Sequence, residues 1–316
     1  MLHALPGNPT VTQDIYTLSD LQSGVLQKLD PPARLSVFGD PVAHSKSPGF
    51  HNAALKACGI AAQYVKIHVT PDQAAEAFRA LPAAGFLGTN VTIPHKAAAL
   101  ATVDEADEYA RQSGAVNTVV VDGGKLLGFN TDGPGLVRAL REEFFVDLRD
   151  LRVLLLGAGG GAGRAIAVQC AREGCERLVL ANRTVDRARE LATELSPYFR
   201  SDRLIGPAER IQAISLDESA LRSQIEQVDL VINATSVGMK RSDPPVIPAH
   251  LLTANLLVYD TVYAAGRSRL LEDAQAAGAR TANGMSMLLH QGALSFEIWF
   301  NRPAPIEAMR AALAAS

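Results

Sequence analysis

Lys96 closes the stretch Gly88-Thr89-Asn90-Val91-Thr92-Ile93-Pro94-His95-Lys96, where chemistry-bearing side chains crowd together. Asn90, Thr92 and Lys96 put polar groups beside β-branched Val91 and Ile93, so a short strand is expected to end in hydrogen-bonding groups. Pro94 lacks a backbone N–H and suits the first position of a helix, which puts Lys96 in the first helical turn. The macrodipole is positive there, so a cation gains nothing from that site. Such a lysine is either solvated surface or an amine kept for proton transfer, and its polar neighbours favour the second reading. A carboxylate partner is offered by Asn130-Thr131-Asp132-Gly133 at the end of another apolar run. Asp132 could equally cap the helix expected over 134–143.

Other polar groups sit at comparable places. In His44-Ser45-Lys46-Ser47-Pro48, Ser47 reads as a helix N-cap with Pro48 at the first helical position. Capping leaves Ser45 unexplained, and two hydroxyls at a helix N-terminus can bind a carboxylate. Asn117 lies within the apolar run 114–121, where an amide is costly unless paired. Gln291 falls on the apolar period of the final long helix, either solvated or turned inward. Ser45 and Ser47, Asn90, Thr92 and Lys96, Asn117, and Asp132 form four polar clusters around strand ends. Ligands of open α/β sheets bind beyond the carboxyl ends of strands. A small polyhydroxy acid would use such a set.

The elements that carry these groups alternate. Strand 34–38, a helix behind Pro48, strand 63–69, helix 71–81 and the strand ending near Lys96 predict an open, mainly parallel α/β sheet. Asp122-Gly123-Gly124-Lys125 is a hairpin turn. After a linker at 146–150, the buried-type strand 151–156 runs into Gly157-Ala158-Gly159-Gly160-Gly161-Ala162-Gly163 and a helix over 165–173. Flanked so, and followed by strand 177–181, these glycines predict a Rossmann-type dinucleotide site. The second strand ends in Asn182-Arg183-Thr184 rather than an acid. Arginine pairs with a 2′-phosphate, which favours NADP over NAD. Arg187 and Arg189 either assist or are solvated helix charges. The loop Ala234-Thr235-Ser236-Val237-Gly238 suits the nicotinamide ribose, and Thr261-Val262-Tyr263 follows one more strand, 256–260.

A chain of 316 residues suggests two domains. Residues 1–34 read as an extension without chemistry, in which Ser19 caps a short helix. Thirty basic and 33 acidic residues give a formal charge of −3, no bias toward nucleic acid or membrane. No apolar run approaches the roughly 20 residues that cross a bilayer, and the first residues lack a secretory pattern. Three cysteines without a CxxC pair are expected as free thiols in a reducing cytoplasm, with no metal site.

Taken together and in this order, His44-Ser45-Lys46-Ser47-Pro48, Asn90-Val91-Thr92-Ile93-Pro94-His95-Lys96, Gly114-Ala115-Val116-Asn117-Thr118, Asn130-Thr131-Asp132-Gly133, the turn Gly157 to Gly161, Asn182-Arg183-Thr184, Asn233-Ala234-Thr235-Ser236 and the Gln291 helix resemble the shikimate dehydrogenase family over about residues 37–299. The resemblance implies reversible NADPH-dependent reduction of 3-dehydroshikimate to shikimate, on the route to chorismate and the aromatic amino acids. It implies that Ser45 and Ser47 bind the substrate carboxylate, with Tyr263 nearby. Thr92, Asn117, Asp132 and Gln291 would bind ring hydroxyls. Lys96 would exchange the proton at the reacting oxygen with Asp132 as its partner. The NADP pocket would use Gly157, Ala158, Gly159, Gly160, Gly161, Asn182, Arg183, Thr184, Arg187, Thr235, Ser236, Thr261 and Gly284. Some relatives carry methionine where this chain has Thr261. The implied domains are 35–134 plus 283–316 for substrate and 135–282 for NADP, with the active-site cleft between them. A homodimer is compatible with this resemblance. Two alternatives are a quinate/shikimate dehydrogenase of broader substrate or cofactor use, and a non-catalytic NADP-dependent ligand sensor. Arg183 argues against an NAD preference, and the Lys96–Asp132 pair against a sensor, which needs no proton relay.

Overall fold

The computed structural model describes residues 14–199, 210–263 and 267–315. Two sheets organise them. The first holds β1 (Tyr16–Thr17), β2 (Ala33–Gly39), β3 (Gln63–His68), β4 (Gly88–Val91), β5 (Glu105–Ala106), β6 (Thr118–Asp122) and β7 (Lys125–Phe129), in the order β1-β3-β2-β4-β6-β7-β5. Its β1–β3, β3–β2, β2–β4 and β5–β7 pairs are parallel, and β4–β6 and β6–β7 are antiparallel. The β6–β7 hairpin turns on Gly123 and Gly124, with φ of 55° and 82°. Two consecutive positive φ angles are what a type I′ turn demands.

Residues 14–34 are more than an appendage. Thr17, not Ser19, caps the helix Leu18–Ser23, in a box where its hydroxyl and the Asp20 carboxylate each accept from the other's backbone N–H. Tyr16, Leu18, Leu21 and Leu26 are buried against Phe38, Ile67 and Phe78, and β1 extends the sheet by pairing with β3. The later part of the expected extension therefore belongs to the first lobe's core.

The second sheet holds β8 (Arg152–Leu156), β9 (Arg177–Ala181), β10 (Ile211–Ile214), β11 (Leu230–Asn233), β12 (Leu257–Asp260) and β13 (Arg280–Asn283). All pairs are parallel, in the order β10-β9-β8-β11-β12-β13. Counted from its own first strand this is 3-2-1-4-5-6, the doubly wound dinucleotide order. Alternation along β8 feeds two cores. Val153 and Leu155 pack with Ile166 and Leu191 on one face, and Leu154 and Leu156 with Leu221 and Leu270 on the other.

After β13 the chain returns to the first lobe. Leu289 and Phe296 of helix Met285–Phe300, and Met309 and Leu313 of helix Ile306–Ala314, join a core with Leu35, Phe50 and Tyr64. Helix Asp132–Phe144 bridges the lobes. Its Leu136 and Leu140 enter the second lobe's core, while Arg138 forms a bidentate pair with Glu297 at 3.0 and 2.8 Å. Among the described residues no helix is long and apolar enough to cross a membrane.

Candidate active site

β4 delivers Asn90 and Thr92 and then turns sharply. The Ile93–Pro94 peptide is cis, His95 N–H donates to the Thr92 carbonyl at 2.9 Å, and the helix starts at Lys96 rather than at Pro94. Lys96 is therefore the first residue of helix Lys96–Thr102, two positions nearer the unfavourable end of the dipole than a Pro94 start would place it. Its compensation is direct: Lys96 Nζ lies 2.7 Å from Asp132 Oδ2. Only 25 % of the Lys96 side chain and 10 % of the Asp132 side chain are exposed. Asp132 opens its own helix, where a negative charge is favoured.

Asn117, the polar residue beside β6, explains itself through Asp132. Its Nδ2 donates to Asp132 Oδ1 at 2.8 Å and to Thr131 Oγ1 at 3.0 Å, and Gln291 Oε1 lies 3.5 Å away. Its Oδ1 accepts from Thr131 N–H at 2.8 Å, which fixes which end of the amide faces the carboxylate. Each oxygen of Asp132 thus has its own donor. Gln291 faces inward, so the solvated alternative for it falls away. Its helix comes within contact distance of Gly135, where an added Cβ would sit 2.8 Å from Gln291 N.

Ser47 is buried and opens helix Ser47–Ala57 as a helical residue, with Pro48 second, so it is not the cap. The Ser45 hydroxyl accepts from Ser47 N–H at 3.3 Å. Beneath this turn lie groups the sequence did not single out. Tyr64, buried on β3, donates to Asn90 Oδ1 at 2.8 Å, and burial raises its phenol well above the ordinary range against the opposing hydrogen bond from Ser47. Thr118, Thr131 and Ser295 complete a buried polar cluster with Asn90 and Asn117. Polar side chains on apolar strands were the available signal for Thr118. Ser295 on a helix gave none.

Across from these groups, the second lobe forms a glycine cradle. Gly157 turns with φ of 84°, and a Cβ there would sit 2.7 Å from Thr235 Cγ2, so the turn after β8 touches the loop after β11. A Cβ on Gly163 would fall 2.1 Å from the Gly157 carbonyl, which draws helix Gly161–Glu173 tight to the turn. Ala158 is buried, whereas Gly160 and Gly161 are exposed at that helix's N-terminus. Gly159 N–H donates to Asn182 Oδ1 at 3.4 Å, and a Cβ on Gly159 would reach 3.0 Å from Arg187 Cβ. Exposed Arg183, Thr184 and Arg187 line the same edge. This crevice, at the switch point of the sheet, has the bare backbone, dipole and cations that a phosphorylated dinucleotide needs.

Asp260, fully buried at the end of β12, ties the loops that follow. It accepts from Asn233 Nδ2 at 2.9 Å, Ser268 Oγ at 2.5 Å and Val262 N–H at 3.1 Å, while burial raises its pKa. Asn233 Oδ1 in turn accepts from the Thr235 N–H and hydroxyl at 3.0 and 2.7 Å, beside exposed Ser236. An added Cβ on Gly284 would lie 2.1 Å from the Thr261 carbonyl, so these two positions abut. Tyr263, 40 % exposed, has its phenol pKa raised by desolvation and then by the charge of Asp132.

A dinucleotide crevice in one lobe and a half-buried amine–carboxylate pair at two helix starts of the other define a nicotinamide-dependent dehydrogenase of alcohols. Family models agree along the chain: the shikimate dehydrogenase substrate binding domain matches residues 37–119, the shikimate/quinate 5-dehydrogenase model 139–241, and the shikimate 5′-dehydrogenase C-terminal domain 284–314. The chain belongs to the shikimate dehydrogenase family. The NADP(+) shikimate dehydrogenase of Methanopyrus kandleri is 44 % identical over 281 residues, which cover 88 % of this chain and 94 % of that protein. A shikimate dehydrogenase solved with NADP+ superposes with a TM-score of 0.80 at 36 % identity, over 89 % of this chain and 94 % of the other. The Thermus thermophilus enzyme, solved with NADP(H) and shikimate, gives 0.78 at 34 % identity, over 90 % and 99 %.

Proposed function

We propose that this protein interconverts shikimate and 3-dehydroshikimate with NADP(H), and the observation that carries the proposal is the 2.7 Å Lys96–Asp132 contact at the cleft. The substrate lobe is taken as residues 35–134 together with 283–316, joined by residues 14–34, and the nucleotide lobe as 135–282. When bound, the nicotinamide exchanges a hydride with the alcohol carbon. Lys96 moves the accompanying proton: as the ammonium it protonates the oxygen formed on reduction, and as the amine it takes that proton back on oxidation. Asp132 orients both the lysine and the hydroxyl, while Asn117 holds its second oxygen. Ser45 and Ser47 bind the carboxylate, with Tyr263 beside it. Thr92, Asn117 and Gln291 contact the other hydroxyls. Arg183, with Thr184 and Arg187, would pair with the 2′-phosphate, and the turn Gly157 to Gly161 would hold the pyrophosphate. Thr235, Ser236, Thr261 and Gly284 border the nicotinamide end.

The free thiols Cys58, Cys170 and Cys175 fit a reducing cytoplasm. A homodimer belongs to this reading and is tested by sedimentation. For the activity itself, the experiment is steady-state turnover of shikimate and quinate, each with NADP+ and NAD+. Shikimate with NADP+ is expected to give the highest kcat/KM. Comparable rates with quinate or NAD+ would move the assignment to the broader enzyme, and binding without turnover to a sensor.

A further inference from the structure

Ser295 lies one helical turn beyond Gln291 and is fully buried. Its hydroxyl is the meeting point of three segments. Asn90 Nδ2, from β4, donates to it at 2.9 Å. Thr118 Oγ1, from β6, lies at 2.8 Å, and Thr131 Oγ1, at the entry to the Asp132 helix, at 3.4 Å. Its own proton reaches the Gln291 carbonyl at 3.0 Å. A hydroxyl has one proton and two lone pairs. The Gln291 carbonyl can only accept, so it takes the proton. The lone pairs are left for the Asn90 amide and one threonine hydroxyl. The capacity of this oxygen is therefore filled, and each partner belongs to a segment that carries a site residue.

We propose that Ser295 is a positioning residue for the substrate pocket: it fastens the Gln291 helix to the strand ends behind Asn117 and Asp132, and so sets where the Gln291 amide stands. This rests on the role of Gln291 in binding a substrate hydroxyl. The contact opposite is backbone-tight, because Gly135 leaves no room between the Gln291 helix and the helix of Asp132. Gln291 is consequently held from two sides, by close packing at Gly135 and by hydrogen bonds at Ser295. Loss of the second hold lets the turn that carries Gln291 shift locally, while Arg138–Glu297 and the buried Leu289 and Phe296 keep the helix docked. It also strips an acceptor from Asn90, whose Nδ2 then keeps the Asn117 carbonyl at 3.2 Å and Thr118 Oγ1 at 3.1 Å.

The test compares Ser295→Ala, Gln291→Ala, the double variant and Ser36→Ala by steady-state kinetics and thermal melting. Ser36 serves as control because its hydroxyl is equally buried in the same sheet but contacts Thr89, away from the Gln291 helix. Ser295→Ala is expected to raise KM for shikimate about tenfold, with kcat changed less than about threefold and KM for NADP+ unmoved, as for loss of one binding contact. Ser36→Ala should lower Tm without moving KM. In the double variant the KM effects should fall well short of multiplicative, since both changes act on one contact. If Gln291→Ala leaves KM unchanged, the assigned role of Gln291 is what fails. If Gln291→Ala raises KM while Ser295→Ala does not, or the two effects multiply, the positioning role is overturned. Should Ser295→Ala not fold, Ser295→Cys, with similar volume and a weaker acceptor, carries the same comparison.

Discussion

Replacing Lys96 by alanine separates proton transfer from every other contribution of the site. The ammonium is 2.7 Å from Asp132, and no other cation pairs with that carboxylate among the described residues. A positioned general acid or base typically contributes about 10²–10⁴-fold to the rate. Lys96→Ala is thus expected to lower kcat by that factor, about 3–5.5 kcal/mol of transition-state stabilisation. KM for shikimate should move less than about threefold, because the proposed carboxylate and hydroxyl contacts remain. Stability should change less than activity does. Removing one partner of a fully buried pair costs about 3–5 kcal/mol, whereas an exposed pair contributes about 0–1. Here Asp132 retains Asn117 Nδ2 at 2.8 Å and the favourable end of its helix. A loss of about 1–3 kcal/mol follows, a few degrees in Tm for a protein of this size. The assay is initial-rate production of NADPH from shikimate and NADP+, with a thermal melt on the same sample. A variant with kcat within about tenfold of the parent and an intact melt would reduce Lys96 to a structural ion pair and refute the proton-transfer reasoning.

Four further outcomes are expected. Arg183→Ala should raise KM for NADP+ by about 10–100-fold while leaving NAD+ kinetics nearly unchanged, the contribution of a charge-assisted contact; parallel loss with both cofactors would remove the 2′-phosphate assignment. Gly159→Ala places a Cβ 2.7 Å from Asn182 Nδ2 and should weaken NADP+ binding in a fluorescence titration without altering binding of shikimate alone. Gly135→Ala drives a Cβ to within 2.8 Å of Gln291 N, so KM for shikimate should rise, together with a lower Tm. Burial lowers the His51 pKa to about 3 against a smaller opposing influence of Asn90, and neither ring nitrogen makes a well-formed hydrogen bond among the described residues. The native state holds this histidine neutral while the unfolded chain protonates it below about 6.5. Its contribution is therefore complete above pH 6.5 and lost as pH falls toward 3, about 2 kcal/mol by pH 5. His51→Phe should flatten that part of the Tm–pH curve; an unchanged slope would mean that other groups set it.

The nucleotide lobe was legible in the sequence because its central strands, β8, β9, β11 and β12, are short buried apolar runs and β8 leads straight into the glycine turn. Strand 177–181 was bounded to the residue, and the glycine turn at Gly157 falls between a strand and a helix as expected. The meeting of Lys96 with Asp132 was legible for a different reason, since polar residues at the ends of apolar strands are expensive without a partner. Three things were not. Tyr16–Thr17 is too short for any periodic signal, yet its pairing with β3 makes an edge strand of what looked like an appendage. The helix starts near Ser47 and Lys96 moved because local hydrogen bonding, Ser47 N–H to Ser45 and His95 N–H to Thr92, decides them rather than proline. Ser295 and Asp260 could not be told from ordinary polar residues, because what makes them matter is partners far along the chain.

The return of the last two helices to the first lobe has a consequence for how the protein is made. On a ribosome, every strand of the nucleotide lobe has been synthesised once Asn283 is added. The substrate lobe, although begun earlier, still lacks Leu289, Phe296, Met309 and Leu313 from its interior. Until those residues emerge, Phe50 and Leu35 have no cover and Gln291 has no place to stand. The lobe that starts first is completed last, and the catalytic cleft cannot exist in a nascent chain.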